Sequence, residues 1–188
     1  SLEENVKRIV DELKSSGLYE NTLIVYTSDH GCHFMTRNLE YKRSCHEGST
    51  HIPLIVSGGA YKDMGRTDRL VSLIDLPPTL LTAAGIDVPE NFDGIALRSG
   101  TERDCVFAQI SESHNGRCVI TEKYTYSISS GLNYSTDKYR DDYLYDREKD
   151  RGERHNLINS PAYAKEKEKL RGLLVREMLK AGESAPVI

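Results

Sequence analysis

The stretch Val25-Tyr26-Thr27-Ser28-Asp29-His30-Gly31-Cys32-His33 sets a carboxylate and an imidazole side by side, directly after an apolar run. Asp29 offers hard oxygen, His30 offers ring nitrogen, and Gly31 lets the backbone turn tightly beside them. Such a trio suits a metal ion, and equally suits an ordinary Asp-Gly-type turn. A second group follows in "EYKRSCHEGSTHIPLIV", which carries Lys42, Arg43, His46, Glu47 and His51. Cations and imidazoles beside an acidic metal pair suit a doubly charged oxyanion. The metal polarises one oxygen while Lys and His neutralise and orient the others. Taken alone, Lys42 also reads as a solvated loop lysine.

The elements around these residues follow α/β grammar. Leu2, Val6, Ile9, Val10 and Leu13 recur at helical spacing and Gly17 is a stop signal. Leu23 to Tyr26 and Leu54 to Val56 read as two strands buried on both faces, as in a parallel sheet. In such a sheet ligands bind beyond the carboxyl ends of the strands, which is where Asp29 and His30 fall. "RLVSLIDLPPTLLTAAGI" predicts a helix, kinked or started at Pro77-Pro78 and capped by Gly85. From about Thr101 the texture changes. "DCVFAQI", "RCVITEK", "YTYSISS" and "DYLYD" are short antiparallel-strand signals. A charged helix closes the chain at Pro161 to Lys180, with Leu170, Leu173, Leu174 and Met178 on one face. The expected organisation is an α/β part over residues 1–100 and an antiparallel sheet with a helix over residues 101–188.

The 188 residues carry a net charge of −4, which argues against a general nucleic-acid binder. No apolar run approaches the roughly 18 residues of a membrane span. The opening reads as a helix already in progress, so the natural protein is expected to begin earlier, with any targeting segment in that earlier part. Cys32, Cys45, Cys105 and Cys118 form no C-x-x-C pair and are expected to be free thiols rather than a disulfide or zinc framework.

"NTLIVYTSDHG" followed by "YKRSCHEGSTHIPLIVSGG" resembles the C-terminal half of the type I sulfatases, members of the alkaline-phosphatase-like superfamily. "SLIDLPPTLLTAAGIDVPENFDGIAL", "RCVITEKYTYSI" and "YLYDREKDRGERHNL" resemble the family's later segments in the same order, so the likeness runs through nearly the whole chain. The resemblance implies a partial alkaline-phosphatase-like sheet followed by the small α+β subdomain. It implies Asp29 and His30 as ligands of calcium or magnesium, and Lys42 as the cation that contacts sulfate and bears charge in catalysis. His33 and His46 become candidate substrate contacts, and Arg37 and Arg43 candidate readers of a carboxylate or second sulfate. Glu47 is expected to orient a neighbouring cation, and Cys32 and Cys45 to be wall residues. His30 stands where many members have Asn. The family's formylglycine nucleophile, made in a Cys/Ser-x-Pro-x-Arg motif, has no counterpart in these 188 residues, nor has the N-terminal Asp pair of the metal site.

The expected function is therefore that of a sulfatase portion whose parent hydrolyses sulfate esters, on a sulfated small molecule or glycan, in a periplasmic, secreted or lysosomal-type compartment. The missing N-terminal part is its first partner, and an oligomer is open. The chain alone is expected to be inactive. Two alternatives remain: a phosphoesterase of the same superfamily, or a non-catalytic binding module that keeps the fold.

Overall fold

The computed structural model describes residues 1–62, 65–112, 114–131 and 137–188. They form two units. One comprises Ser1–Asp29 and Pro53–Thr101, and the other comprises His30–Ile52 and Glu102–Ile188.

The first unit contains α1 (Leu2–Ser15), β1 (Ile24–Thr27), β2 (Leu54–Ser57) and α3 (Leu76–Ala83). The apolar repeat makes α1, and Gly17 ends it in the left-handed region at φ 73°. β1 and β2 pair antiparallel, from Ile24 opposite Ser57 to Thr27 opposite Leu54. The sequence expectation of a parallel arrangement is thus corrected for this pair. A continuous apolar run reports burial, not strand direction. Burial on both faces is corrected too: every residue of β1 is half-buried, and Ile55 in β2 is exposed. α3 starts at Leu76 with proline in its first turn, where a missing N–H costs nothing. Its buried Asp75 accepts from the Ser72 and Ile95 amides, each at 2.8 Å. Thr79 Oγ1 accepts from the Leu97 amide at 2.9 Å. These bonds tie the "FDGIAL" loop to the helix.

The second unit is built on a four-stranded antiparallel meander, β3 (Val106–Ser111), β4 (Asn115–Ile120), β5 (Tyr124–Ser129) and β6 (Arg140–Asp146), in that spatial order. Side chains alternate between its faces. Val119, Tyr126, Ile128 and Leu144 face α4 (Ala164–Lys180) and pack on its Leu170, Leu174 and Met178. Cys118, Ile120, Tyr143 and Tyr145 face the other way and pack on Cys45. Each fully buried Leu or Ile there contributes about 1.5–3 kcal/mol. Asp141 adds a polar lock, accepting from Tyr126 Oη at 2.6 Å and from Lys167 Nζ and Arg171 Nη2 at 2.9 Å.

The segment 30–52, read from the sequence as part of the first region, supplies the cover for the second face of this sheet. Apart from Pro78, the buried apolar side chains among the described residues all lie in the second unit. The four cysteines are free, with Cys45, Cys105 and Cys118 buried. No helix of the described residues is long and apolar enough to cross a membrane.

Candidate functional site

β1 ends at Thr27, so Ser28 and Asp29 leave the strand directly, and Ser28 Oγ donates to Asp29 Oδ1 at 3.4 Å. His30 opens the segment that belongs to the second unit. Its Nδ1–H donates to its neighbour's carbonyl, Gly31 O, at 2.8 Å, which leaves a lone pair on Nε2. That lone pair accepts from Lys42 Nζ at 3.1 Å. The sequence thus separates His30 and Lys42 by twelve positions, and the fold brings their functional atoms together.

The segment returns to its start through Gly31 N–H to Ser49 O and His33 N–H to Tyr41 O, both 2.8 Å. Gly31 is required for the first of these closures, because a Cβ at that position would overlap the Gly48 carbonyl. Within the loop, Asn38 Nδ2 donates to Arg43 O at 2.9 Å and its Oδ1 accepts from the Glu40 amide at 2.8 Å. A tight turn then joins Ser44 N–H to Lys42 O at 2.8 Å. Lys42 therefore sits on a braced loop. Phe34 and Met35, at φ 52° and 59°, hold left-handed backbone that bulky residues rarely adopt. Both are exposed.

His33 and His46 are interior residues of this unit, 5% and 8% exposed. The His46 ring lies 4.2 Å, centroid to centroid, from Tyr143, and its Nε2 is 3.3 Å from Tyr145 Oη. Burial first, then repulsion from Arg37 and His33, pushes His46 down to about 3. It is a neutral ring at physiological pH. Both ring nitrogens of His33 and Nδ1 of His46 are buried without a hydrogen-bond partner among the described residues.

The two arginines are engaged within the unit. Arg37 donates from Nη1 to Glu153 O at 2.6 Å and from Nη2 to Gly152 O at 2.7 Å. Arg43 meets Glu40 Oε2 at 2.7 Å and grips Glu112 with Nε at 2.6 Å and with Nη2. Hydrogen bonds to Glu112 and Glu40 push its already high pKa up further. Glu47 accepts from His51 Nδ1 at 2.7 Å. Glu40 is three residues from Arg43, but Gly152, Glu153 and Glu112 come from far along the chain, and no local spacing announces them.

A cation fits the donor chemistry of Asp29 and His30. An imidazole that ligates a metal ordinarily gives its other N–H to a carbonyl or carboxylate, as His30 does to Gly31. A second group, Asp104, Cys105 and Glu177, brings its possible ligand atoms within 4.8 Å of one another. There Arg176 bridges Asp104 at 2.8 Å and Glu177 at 2.7 Å, so both carboxylates are already engaged by one guanidinium.

Comparison with known proteins bears on this geometry. Residues 1–86 match the sulfatase family model. Arylsulfatase K of Xenopus laevis is 42% identical over 89 residues, 47% of this chain and 17% of that protein. The chain thus spans about a sixth of this curated relative. A candidate sulfatase from Bacteroides thetaiotaomicron superposes with a TM-score of 0.85 at 27% identity, covering 97% of this chain and 41% of that one. A 2-O GAG sulfatase superposes with a TM-score of 0.82, also at 27% identity, covering 96% and 41%.

Proposed function

We propose that the enzyme this chain forms part of is a sulfatase that hydrolyses sulfate esters of a carbohydrate, a reading supported by the sulfatase family model matched over residues 1–86 and by the fold shared with a candidate sulfatase over 97% of the chain. The observation that carries the reading is the pairing of His30 Nε2 with Lys42 Nζ at 3.1 Å. Asp29 and His30, adjacent in sequence, are the ligand pair for a divalent cation, calcium or magnesium. When bound there, such a cation supplies Lewis-acid polarisation of a sulfate oxygen.

The remaining chemistry belongs to the chain's own residues. His30 presents one nitrogen lone pair, with its tautomer set by Gly31 O. A cation held by His30 would take that lone pair in place of the Lys42 ammonium. Displaced from it, Lys42 is a compact positive charge able to bind a sulfate oxygen and to bear the charge that builds on the leaving oxygen. The chain has no Cys/Ser-x-Pro-x-Arg motif, so its share of the reaction is to bind and charge-balance the ester. A carbohydrate substrate is supported by the 2-O GAG sulfatase that shares the fold.

The test is an assay of the enzyme containing this chain on an aryl sulfate and on sulfated disaccharides, with an aryl phosphate as comparison. Lys42→Ala should lower kcat/KM on sulfate esters by about 10²–10³-fold, the loss expected for one transition-state donor. An unchanged rate in Lys42→Ala, or a preference for the phosphate ester, would overturn the reading.

A further inference from the structure

We propose that Glu153 is a positioning residue for Lys42, holding from the C-terminal sheet region the loop that carries the sulfate-binding cation. The part of this concerning sulfate rests on the reading above, and the part concerning the loop stands on geometry alone.

Lys42 lies between two anchors. On its N-terminal side Arg37 grips the carbonyls of Gly152 and Glu153 at 2.7 and 2.6 Å. On its C-terminal side Cys45 N–H donates to Tyr143 Oη at 3.0 Å, and Glu47 N–H donates to Glu153 Oε2 at 2.9 Å. Glu153 alone serves both anchors, with its carbonyl on one side and its carboxylate on the other. The short helix α2 (Glu47–Thr50) has no side-chain cap from its own N-cap residue His46. Glu153 takes that place from 106 residues downstream.

Glu153 is an expensive residue to keep where it is. It is 2% exposed, and Oε1 has no hydrogen-bond partner among the described residues. A buried carboxylate is costly unless it is compensated. Arg37 Nη2, 3.8 Å from Oε2, compensates in part, and desolvation still pushes the Glu153 carboxyl up. Its backbone is left-handed at φ 49°, a conformation that persists in a non-glycine residue only when the surroundings impose it. Asp150 imposes it here. Its carbonyl accepts from Glu153 N–H at 2.9 Å, and its Oδ2 accepts from the Arg154 and His155 amides at 2.7 Å. The "DRGER" turn is thus folded so that one carboxylate and two carbonyls face the Lys42 loop. A residue serving only to fill space would be apolar and unstrained at this position.

The experiment compares Glu153→Ala with Glu153→Gln in the enzyme that contains this chain. Gln keeps an oxygen for the Glu47 amide and serves as the rescue. Hydrogen exchange over residues 41–49 reads the loop without any substrate. It should speed up in Glu153→Ala and stay near the parent rate in Glu153→Gln. On an aryl sulfate, Glu153→Ala should lower kcat/KM by about 10²-fold, the scale of an ångström-level misplacement, while Glu153→Gln retains most of it. In a Lys42→Ala background the same Glu153→Ala change should cost little more, because the two act as one unit. Unchanged exchange in Glu153→Ala, or a full further loss in the Lys42→Ala background, overturns the proposal. If the parent turns over no sulfate ester, the exchange arm still decides the loop's dependence on Glu153, and only the reading of the reaction fails. Should Glu153→Ala fail to fold, Glu153→Asp replaces it, with a carboxylate one methylene too short to reach the Glu47 amide.

Discussion

Acidification should loosen the second unit through His46. Its ring is packed on Tyr143 and Tyr145, and its pKa is lowered from 6.5 to about 3 by burial and by repulsion from Arg37 and His33. Folding therefore excludes a proton that the unfolded chain accepts below pH 6.5. Above that value His46 costs nothing; as the pH falls from 6.5 towards about 3, stability is lost. At about 1.4 kcal/mol per unit, a move from neutral to roughly pH 5 removes about 2 kcal/mol. Asp142 and Glu153, whose carboxyls are pushed up by desolvation, act in the opposite sense over their own range. The parent's slope is thus a sum, and a difference measurement isolates the imidazole. His46→Phe keeps a ring between the two tyrosines and removes the proton site. Urea unfolding near neutral pH and at roughly pH 5, followed by circular dichroism, should show the parent losing about 2 kcal/mol more than the variant. Superimposable pH dependences would refute the reasoning.

Two further substitutions test the framework that holds the loop and the sheet. Gly31→Ala sets a Cβ against the Gly48 carbonyl and must open the Gly31–Ser49 hydrogen bond; a loss of about 2–3 kcal/mol of unfolding free energy by urea denaturation is expected, and a neutral result would show that the closure is not needed. Leu174→Ala empties a fully buried position between α4 and the sheet; it should cost about 2–5 kcal/mol, and a loss under about 1 kcal/mol would mean that the helix does not seal this core.

The parts of the fold written in local pattern were legible in the sequence. Alternating residues such as Cys118-Val119-Ile120 and Tyr143-Leu144-Tyr145 predict strands, and the two cores they feed confirm the alternation. Gly17 and Gly85 were readable as helix stops, and both hold left-handed backbone. The type I sulfatase likeness read from ordered motifs is matched by the family model and by solved structures. Strand direction was not legible, because Leu54-Ile55-Val56 looks the same in either orientation. Nor was the allegiance of residues 30–52 to the second unit. It rests on Arg37 reaching Gly152 and Glu153, on Cys45 meeting Tyr143, and on Arg43 gripping Glu112. Such bonds join polar atoms far apart in sequence and leave no periodicity. Glu153 had a faint signal in the repeated charge and glycine of "DREKDRGERHNL", which read only as part of a family ending.

The separation between the Lys42 loop and its clamp sets a schedule for biosynthesis. Glu47 is made 106 residues before the carboxylate that caps it, and Arg37 116 residues before its carbonyl acceptor. At roughly 5–20 residues per second, a ribosome needs about 5–20 s to close that interval. Throughout it the loop has left the exit tunnel or is leaving it, while the sheet it must cover is still being translated. The buried face of Cys45, His46 and Ser49 is then bare to solvent, proteases and chaperones. Assembly of the Lys42 loop is thus one of the last events in making this part of the molecule, and a chain that ended before Glu153 would contain Lys42 on a loop without its long-range clamp.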